Sequence, residues 1–147
     1  MLKAKIKRLS SDIELPQYHT AESAAFDFSA SEDYEIQPGE IAKVKTGLVI
    51  EAPEGHFLLI ASRSSIPVKK SLTIPNGIGV IDRDYSGPTD EIMVLLRNFS
   101  KEVVKIAKGE RIAQGIFVKV DQVTWEESET MRDTDRGGFG STGGYQK

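Results

Sequence analysis

Cysteine is absent from this chain of 147 residues, and only two histidines, His19 and His56, are present. Without thiols the chain can form neither a disulfide nor a zinc–thiolate site, and two histidines are too few for a histidine-based metal centre. A catalytic metal in this protein would therefore be a hard cation held by oxygen atoms.

An excess of charge of one sign is also missing. The 19 basic and 22 acidic residues give a formal net charge of −3, so there is no global attraction to nucleic acid or to an anionic membrane. Any phosphate binding must come from a few placed residues. No apolar run reaches the length of a membrane span, and the first ten residues lack the apolar stretch of a signal peptide. We therefore expect a cytoplasmic protein with no nucleic-acid or membrane partner.

Hydrophobic residues, 39% of the chain, occur in short runs that suit one domain with a real core. Leu2, Ala4 and Ile6 alternate with lysines, a pattern that predicts a half-buried strand. Further strands are predicted at residues 34–36, 41–44, 48–50, 57–61, 92–96, 103–107 and 111–120. Pro67 limits any helix around it to one turn. Many short strands without a long helix favour an all-β sandwich or barrel.

Residues 75–87, PNGIGVIDRDYSG, combine a turn signal, an apolar run, two carboxylates and a tyrosine within thirteen residues. Asn76 and Gly77 favour a two-residue type I′ hairpin, because both central residues of that turn need φ > 0. Residues 78–81 then form the return strand, in which Gly79 leaves the backbone open to a flat ligand. Three polar side chains follow at the end of this strand: Asp82, Asp84 and Tyr85. Taken alone they fit two solvated turn residues and a packing ring, whereas together with the segments below they indicate half of a binding site.

Other polar residues lie beside apolar runs. Arg63 stands among three serines, a set suited to phosphate oxygens but also to an ordinary polar loop or helix cap. Asp27, between two phenylalanines, most simply points outward from a strand. Gln114 lies in an apolar strand, so either the core satisfies its amide or it faces a polar cavity. The glycine-rich residues 130–147 are either a disordered tail or an arm that becomes ordered when a ligand binds.

Five segments in this order resemble the five motifs of the trimeric dUTP pyrophosphatases (dUTPases). They are AAFDFSA (24–30), SRSS (62–65), NGIGVIDRDYSG (76–87), GERIAQ (109–114) and RGGFGSTG (136–143). The resemblance implies a jelly-roll-like β-barrel over residues 1–129 and a flexible glycine-rich C-terminal arm over residues 130–147. It also implies a homotrimer with shared active sites that hydrolyses dUTP to dUMP and pyrophosphate with Mg²⁺. This reaction would keep uracil out of DNA and supply dUMP for dTMP synthesis.

The resemblance assigns Asp82 as the base that orients and deprotonates the attacking water, and Tyr85 as the ring under the sugar that leaves no room for a 2′-hydroxyl. Asp27 would support the site and Asp84 would be structural. The residues implied to bind substrate are Arg63, Ser64, Ser65, Asn76, Gly79, Tyr85, Gln114, Arg136, Phe139, Gly140, Ser141 and Thr142.

Within that set, the resemblance divides the substrate among the motifs. The turn, with the Asn76 amide, would face the edge of uracil, and Phe139 would stack on the base. Arg63 and its serines would bind phosphate, and Gln114 would contact phosphate or the water. The arm hydroxyls and an arginine would close over the β- and γ-phosphates. Mg²⁺ would be held by substrate phosphates and water, with no direct protein ligand.

The sequence departs from the family pattern in two places. The gap between Arg136 and Phe139 is shorter than usual, so either Arg136 or Arg132 is the arm arginine, and we favour Arg136. Residues 88–90 look like an insertion that lengthens a loop near the site.

Two other functions remain open from the sequence. The related dCTP deaminases need a carboxylate in the strand after the third motif, but residues 92–96 are apolar and Glu91 lies early for this role. A nucleotide-responsive regulatory protein that has lost turnover is the other alternative, and the retained Asp82 and Tyr85 disfavour it.

Overall fold

The fold is built almost entirely from short strands. The computed structural model describes residues 2–138, 141 and 143. Within them the elements are β1 (Lys5–Arg8), β2 (Phe26–Ser29), β3 (Tyr34–Ile36), β4 (Ile41–Lys45), β5 (Leu48–Glu51), β6 (His56–Ala61), α1 (Ser65–Lys70), β7 (Leu72–Thr73), β8 (Gly79–Ile81), β9 (Met93–Asn98), β10 (Val104–Ile106) and β11 (Arg111–Lys119). The all-β prediction is confirmed.

Antiparallel pairing divides these strands among four sheets. Their orders are β2-β11-β6-β8, β4-β9-β7, β1-β5 and β3-β10. In the four-stranded sheet, β11 pairs with both β2 and β6, so that Gln114 lies opposite Asp27 on one side and opposite Ala61 on the other. Side chains at paired positions share a face of the sheet. The segments of Asp27 and Gln114 therefore meet on one surface, and the SRSS segment follows directly after Ala61 at its edge.

The core follows from the period-two alternation of the strands. Phe26 and Phe28 of β2 are 4% and 0% exposed, while Asp27 between them lies on the other face and is half-buried. In β9, Val94 and Leu96 are likewise buried. Burying one such side chain stabilises the fold by about 1.5–3 kcal/mol. The core therefore fixes which face of β2 carries the carboxylate.

The first strand is less buried than its pattern predicts. All four residues of β1 are exposed, and Ile6 is 39% exposed. β1 pairs only with β5 in a two-stranded sheet, and Ile6 is covered only in part, at the edge of a small apolar cavity that Tyr18 and Phe117 also line. The lysines are engaged instead, because Lys5 Nζ lies 3.1 Å from a Glu51 carboxylate oxygen and Lys7 Nζ donates to Pro88 O at 2.9 Å.

The predicted type I′ hairpin at Asn76 and Gly77 is wrong. Gly77 has φ +77°, but Asn76 is not among the described residues with positive φ. The turn is closed one residue earlier, where Gly77 N donates to Ile74 O at 3.0 Å. Pro75, with its fixed φ, suits the second position of that turn, and glycine suits the fourth. β7 then pairs with β9 and β8 with β6, so the turn connects two sheets.

The helix α1 is longer than the single turn expected around Pro67. Six residues are helical, and Pro67 is the third of them. A proline is tolerated there because the first N–H groups of a helix have no partner within it. Within the described residues, no helix is apolar and long enough to cross a bilayer.

Candidate active site

Asp27 is the centre of a charged cluster on the outer face of the four-stranded sheet. Its side chain is only 14% exposed, and it accepts a hydrogen bond from Arg63 Nε at 2.9 Å and another from Arg111 Nη1 at 3.1 Å. His19 Nε2 lies 3.1 Å from the same carboxylate. One carboxylate therefore orients two guanidinium groups. The Coulomb attraction between the carboxylate and each guanidinium group is stronger here than in open water.

Arg63 and Gln114 are held by further hydrogen bonds to the backbone. Arg63 Nη1 donates to the carbonyl of Arg111 at 3.3 Å, and Gln114 Nε2 donates to Ser62 O at 2.8 Å. The amide of Gln114 therefore faces the polar cluster and fixes the segment that carries Arg63. The sequence left open whether the core satisfies this amide or a polar cavity faces it; the structure shows an amide satisfied by a loop carbonyl, and Gln114 does not line the cavities described below.

The serines of the SRSS segment lie where β6 passes into α1. Ser64 is exposed and is the N-cap residue of α1, but its side chain makes no capping hydrogen bond. Ser65 is the first helical residue and is half-buried. The Ser64 hydroxyl is thus not used in capping the helix, and Ser64 directly follows Arg63 in the chain.

Arg111 and His19 were not identified as site residues from the sequence. Arg111 starts β11, pairs with Ser29 near Asp27, and its Nη1 lies 2.9 Å from His19 Nε2. A signal for Arg111 was present, because it belongs to the GERIAQ segment and directly precedes a predicted strand that contains Gln114. His19 lies in the polar loop before β2, and nothing in its sequence context marks it.

A cleft of about 400 Å³ opens beside this cluster. Ionic groups at its wall include Asp27, Arg111, Lys108 and Asp12. A hydrogen bond from Lys108 is the main cause that lowers the pKa of Asp12 to about 2, and a second hydrogen bond from Ser10 adds to it. Asp12 is therefore ionised at neutral pH and neutralises a lysine that would otherwise add positive charge to the cleft.

Asp82 and Tyr85 form a second group, after β8. Asp82 is exposed, and its carbonyl accepts a hydrogen bond from Tyr85 N at 3.2 Å. The Tyr85 ring is 39% exposed, and its hydroxyl donates to Glu91 O at 3.3 Å. Both side chains can therefore reach a ligand in solvent.

The turn before β8 completes this second group. Asn76 Nδ2 donates to Ile78 O at 2.8 Å, so the amide braces the turn. A Cβ on Gly79 would lie 3.1 Å from Ile60 Cβ. The glycine is therefore needed for close packing of β8 on β6, in addition to any role in admitting a ligand. The two residues border a cavity of about 160 Å³ with apolar neighbours.

Asp82 and Arg63 lie towards opposite ends of β6, whereas Gly79 of the second group lies beside Ile60, near the end that leads to Arg63. Ile81 pairs with Leu58 and Gly79 with Ile60, so Asp82 lies beside the start of the strand, whereas Arg63 follows its end. The five steps along the chain from Leu58 to Arg63 span about 16 Å at about 3.3 Å per residue. Among the described residues no hydrogen bond or ion pair joins the two groups. One chain brings Asp27, Arg63 and Gln114 together but does not bring Asp82 to them.

The C-terminal segment lies outside the packed fold. Residues 121–138 are all exposed and contain no helix or strand. Arg132 and Arg136 are both in this stretch, and Ser141 N donates to Gly138 O at 3.1 Å. Phe139, Gly140 and Thr142, three of the expected substrate-binding residues, lie outside the described residues.

Comparison with known proteins gives a consistent identity. The sequence model of the dUTPase family matches residues 11–143. The deoxyuridine 5'-triphosphate nucleotidohydrolase of Nautilia profundicola is 44% identical over 144 residues, which are 97% of this chain and 99% of that protein. The corresponding protein of Anaplasma marginale is 42% identical, with 97% and 99% coverage.

Solved structures show the same fold. The crystal structure of the dUTPase from Streptococcus mutans has a TM-score of 0.75 and 33% identity, and the match covers 82% of this chain and 98% of that one. A dUTPase mutant of the Staphylococcus bacteriophage 80alpha has a TM-score of 0.83 and 25% identity, with 95% and 98% coverage. With the family match over most of its length and relatives above 40% identity, the chain belongs to the dUTPase family, the dUTP diphosphatases.

Proposed function

We propose that the chain hydrolyses dUTP by Mg²⁺-assisted attack of water on the α-phosphorus, with Asp82 as the general base. The water oxygen bonds to the α-phosphorus while the bond from that phosphorus to the bridging oxygen breaks. Pyrophosphate leaves, dUMP remains, and the water proton passes to the Asp82 carboxylate. The exposure of Asp82 at the end of β8 supports this role, because a base must reach the water directly.

The observation that carries the proposal is the assembly of Asp27, Arg63 and Gln114 on one face of the sheet. In this arrangement Asp27 fixes Arg63 through Nε, so that the guanidinium is preorganised for phosphate oxygens. Arginine recognises phosphate through charge-assisted hydrogen bonds whose geometry is set in advance. The uncommitted Ser64 hydroxyl and the N–H of Ser65 supply further donors at the same place.

The second group would select the base and the sugar. The turn at Asn76 and Gly79 would present backbone groups to the uracil edge, and a site that pairs one edge rejects another because its buried polar groups would be left unpaired. Tyr85, which is 39% exposed, would lie under the deoxyribose. A 2′-hydroxyl would then meet the ring.

The donor set of this chain fits Mg²⁺ carried by the substrate. No group of three metal-ligating side chains occurs within the described residues, and Mg²⁺ commonly keeps several waters while binding phosphates. Bound there, the ion would neutralise charge that develops on the phosphate oxygens. The chain's own part is to hold the triphosphate with Arg63 and to place the water with Asp82.

A second copy of the chain would complete the site. Asp82 and Arg63 flank opposite ends of β6. If both are to act on one triphosphate, Asp82 of one copy must lie next to the phosphate-binding residues of another copy. The homotrimer implied by the sequence motifs supplies that arrangement, with equivalent contacts repeated around a closed ring. We infer three such shared sites, in a cytoplasmic enzyme that limits uracil in DNA and supplies dUMP for dTMP synthesis.

The C-terminal arm, residues 130–147, would close over the bound nucleotide. Its exposed start fits a segment that becomes ordered with substrate. Phe139 would stack on uracil, while Arg136, Gly140, Ser141 and Thr142 would surround the β- and γ-phosphates. Arg132 is the alternative arginine, and exchanging each for alanine in turn would show which one dUTP hydrolysis requires.

Product analysis tests the reaction and its selectivity together. The protein is incubated with Mg²⁺ and dUTP, with dCTP, dTTP and UTP in parallel, and we expect dUMP and pyrophosphate from dUTP alone. In Asp82→Asn, binding of dUTP should persist while hydrolysis nearly disappears, and unchanged hydrolysis would refute the assigned base. Turnover of dCTP would indicate deamination, but Glu91 Oε1 already accepts a hydrogen bond from Gly47 N at 2.8 Å.

Mixed assemblies test whether the site is shared. Asp82→Asn and Arg63→Ala are each expected to be nearly inactive alone. When the two variants are co-expressed, roughly a quarter of the sites in randomly mixed rings would receive both intact residues if they come from different copies. If both residues came from the same copy, no site would be restored. Rings made of either variant alone serve as controls for correct assembly.

A further inference from the structure

The inserted residues after Gly87 form a closed turn. Gly87 N donates to Asp90 Oδ2 at 2.7 Å, and Asp90 N donates back to Gly87 O at 3.2 Å. A Cβ on Gly87 would lie 2.7 Å from the same Asp90 oxygen, so the contact is tight. Lys7 Nζ of β1 donates to Pro88 O at 2.9 Å and ties the turn to the body of the protein. The insertion is therefore a fixed structure with Asp90 as its clasp.

Glu91, the next residue, is held from both sides. Its N–H donates to Thr89 O at 2.8 Å, and its Oε1 accepts from Gly47 N at 2.8 Å. Gly47 is itself fixed, because it has φ +71° and Ile13 Cγ1 fills the place where a Cβ would lie, at 2.7 Å. The turn and the β4–β5 corner together set the position of the Glu91 backbone.

The fixed carbonyl of Glu91 is the partner of Tyr85. The Tyr85 hydroxyl donates to Glu91 O at 3.3 Å, and this is the one hydrogen bond that the tyrosine side chain makes within the described residues. The residue is 39% exposed, so packing constrains only part of its surface and the hydrogen bond adds a directional constraint. Its orientation depends on where the Glu91 carbonyl stands, and hence on the clasp at Asp90.

We propose that Asp90 and Glu91 are positioning residues for Tyr85 that set how strictly the enzyme rejects ribonucleotides. The inference rests on the proposed role of Tyr85 under the sugar. Steric rejection of a 2′-hydroxyl requires a wall that does not yield, and a wall is only as rigid as the groups that support it. Without the clasp, the Glu91 carbonyl and the Tyr85 ring gain freedom, and a ribose fits better.

The test compares Asp90→Ala with Asp90→Asn, because the asparagine oxygen can still accept from Gly87 N. The measured quantity is the ratio of kcat/KM for UTP to kcat/KM for dUTP. Since a lost hydrogen bond changes an equilibrium by about fivefold, we expect Asp90→Ala to raise this ratio about fivefold. Asp90→Asn should leave the ratio near that of the native enzyme. An equal fall in kcat/KM for UTP and for dUTP would overturn the proposal, because that result would mean that Asp90 only supports the fold.

Two tyrosine variants distinguish a failure of the positioning role from a failure of the proposed role of Tyr85 in sugar selection. Tyr85→Phe retains the ring but loses the bond to Glu91 O, so it should raise the ratio and add little to Asp90→Ala in the double variant. An unchanged ratio in Tyr85→Phe refutes the positioning role even if the Asp90 variant fails to fold. Tyr85→Ala tests the sugar assignment itself. If its ratio is unchanged, Tyr85 does not select the sugar, whereas a raised ratio with no effect of Asp90→Ala contradicts the positioning role alone.

Discussion

Replacing Asp27 with alanine removes the anion that holds Arg63 and Arg111, the cluster proposed to bind phosphate. Its carboxylate is 14% exposed, while the side chains of Arg63 and Arg111 are 22% and 47% exposed. Breaking a fully buried ion pair costs about 3–5 kcal/mol, whereas an exposed pair contributes about 0–1 kcal/mol. Because the guanidinium groups retain access to water, we expect Asp27→Ala to lower the free energy of unfolding by about 1–2 kcal/mol.

The larger effect of the Asp27 substitution should be on catalysis. Without its Nε partner, the Arg63 side chain keeps, among the residues the structure describes, only a 3.3 Å hydrogen bond to the Arg111 carbonyl and loses its preset orientation. Since Arg63 would bind phosphate, KM for dUTP should rise by about tenfold, which corresponds to about 1.4 kcal/mol. Asp27→Asn can still accept one hydrogen bond from Nε and should show a smaller rise.

Urea denaturation and steady-state pyrophosphate release measure the two effects of Asp27→Ala. Glu35→Ala is the matched control, because Glu35 also pairs with a cation, Lys105 Nζ at 2.7 Å, but both side chains are more than half exposed. That control should change the free energy of unfolding by less than about 0.5 kcal/mol and leave KM unaltered. If Asp27→Ala behaves like the control, the cluster does not position Arg63.

Two further predictions concern the fold. Gly115→Ala would place a Cβ 2.7 Å from ring atoms of both Phe26 and Phe28, so overpacking should lower the free energy of unfolding by about 1–3 kcal/mol, measured by urea denaturation. Burial is the main cause that raises the pKa of the Tyr34 hydroxyl. The folded state therefore keeps this proton longer than the unfolded chain, and the stabilisation is complete below pH ~10 and declines as pH rises through the folded pKa. Tyr34→Phe lacks this pH-dependent stabilisation, so the difference in free energy of unfolding between the variant and the native protein should shrink between pH 8 and pH 11. A difference that stays constant over this range would contradict the reasoning.

Local pattern was sufficient for the strands whose partners and burial follow from alternation. The position of Asp27 between two phenylalanines predicts an outward carboxylate, and β2 places it so. Gln114 could be recognised as a polar residue in an apolar strand, but its partner could not, because Ser62 is distant in sequence and approaches only when β11 pairs with β6. The same holds for His19, which reaches Asp27 through a loop with no periodicity of its own.

Turn preference failed at Asn76 and Gly77 for a related reason. The dipeptide favours a two-residue hairpin only if the strands on either side pair with each other. Here β7 pairs with β9 and β8 pairs with β6, so the two strands do not pair with each other. Pro75 instead lies in a turn that closes one residue earlier. Tertiary pairing thus overrides a local turn preference. In β1 the alternating pattern predicts a half-buried strand, but all four residues of the strand are exposed.

Under the proposed chemistry a second copy would be needed, because the register of β6 and β8 places Asp82 and Arg63 towards opposite ends of β6. Neither end of a six-residue strand can fold back on the other without losing its ladder to β11, which pairs along its whole length. The charged cluster at Arg63 and the proposed base, Asp82, are therefore kept apart by the same hydrogen bonds that stabilise the sheet. A rigid separation of this kind is useful in a shared site, because each half is preorganised before assembly and only the contact between copies has to be formed. Under this arrangement, substitutions that loosen β6 would impair both halves, whereas substitutions at Asp27 or Asp90 would each impair only one.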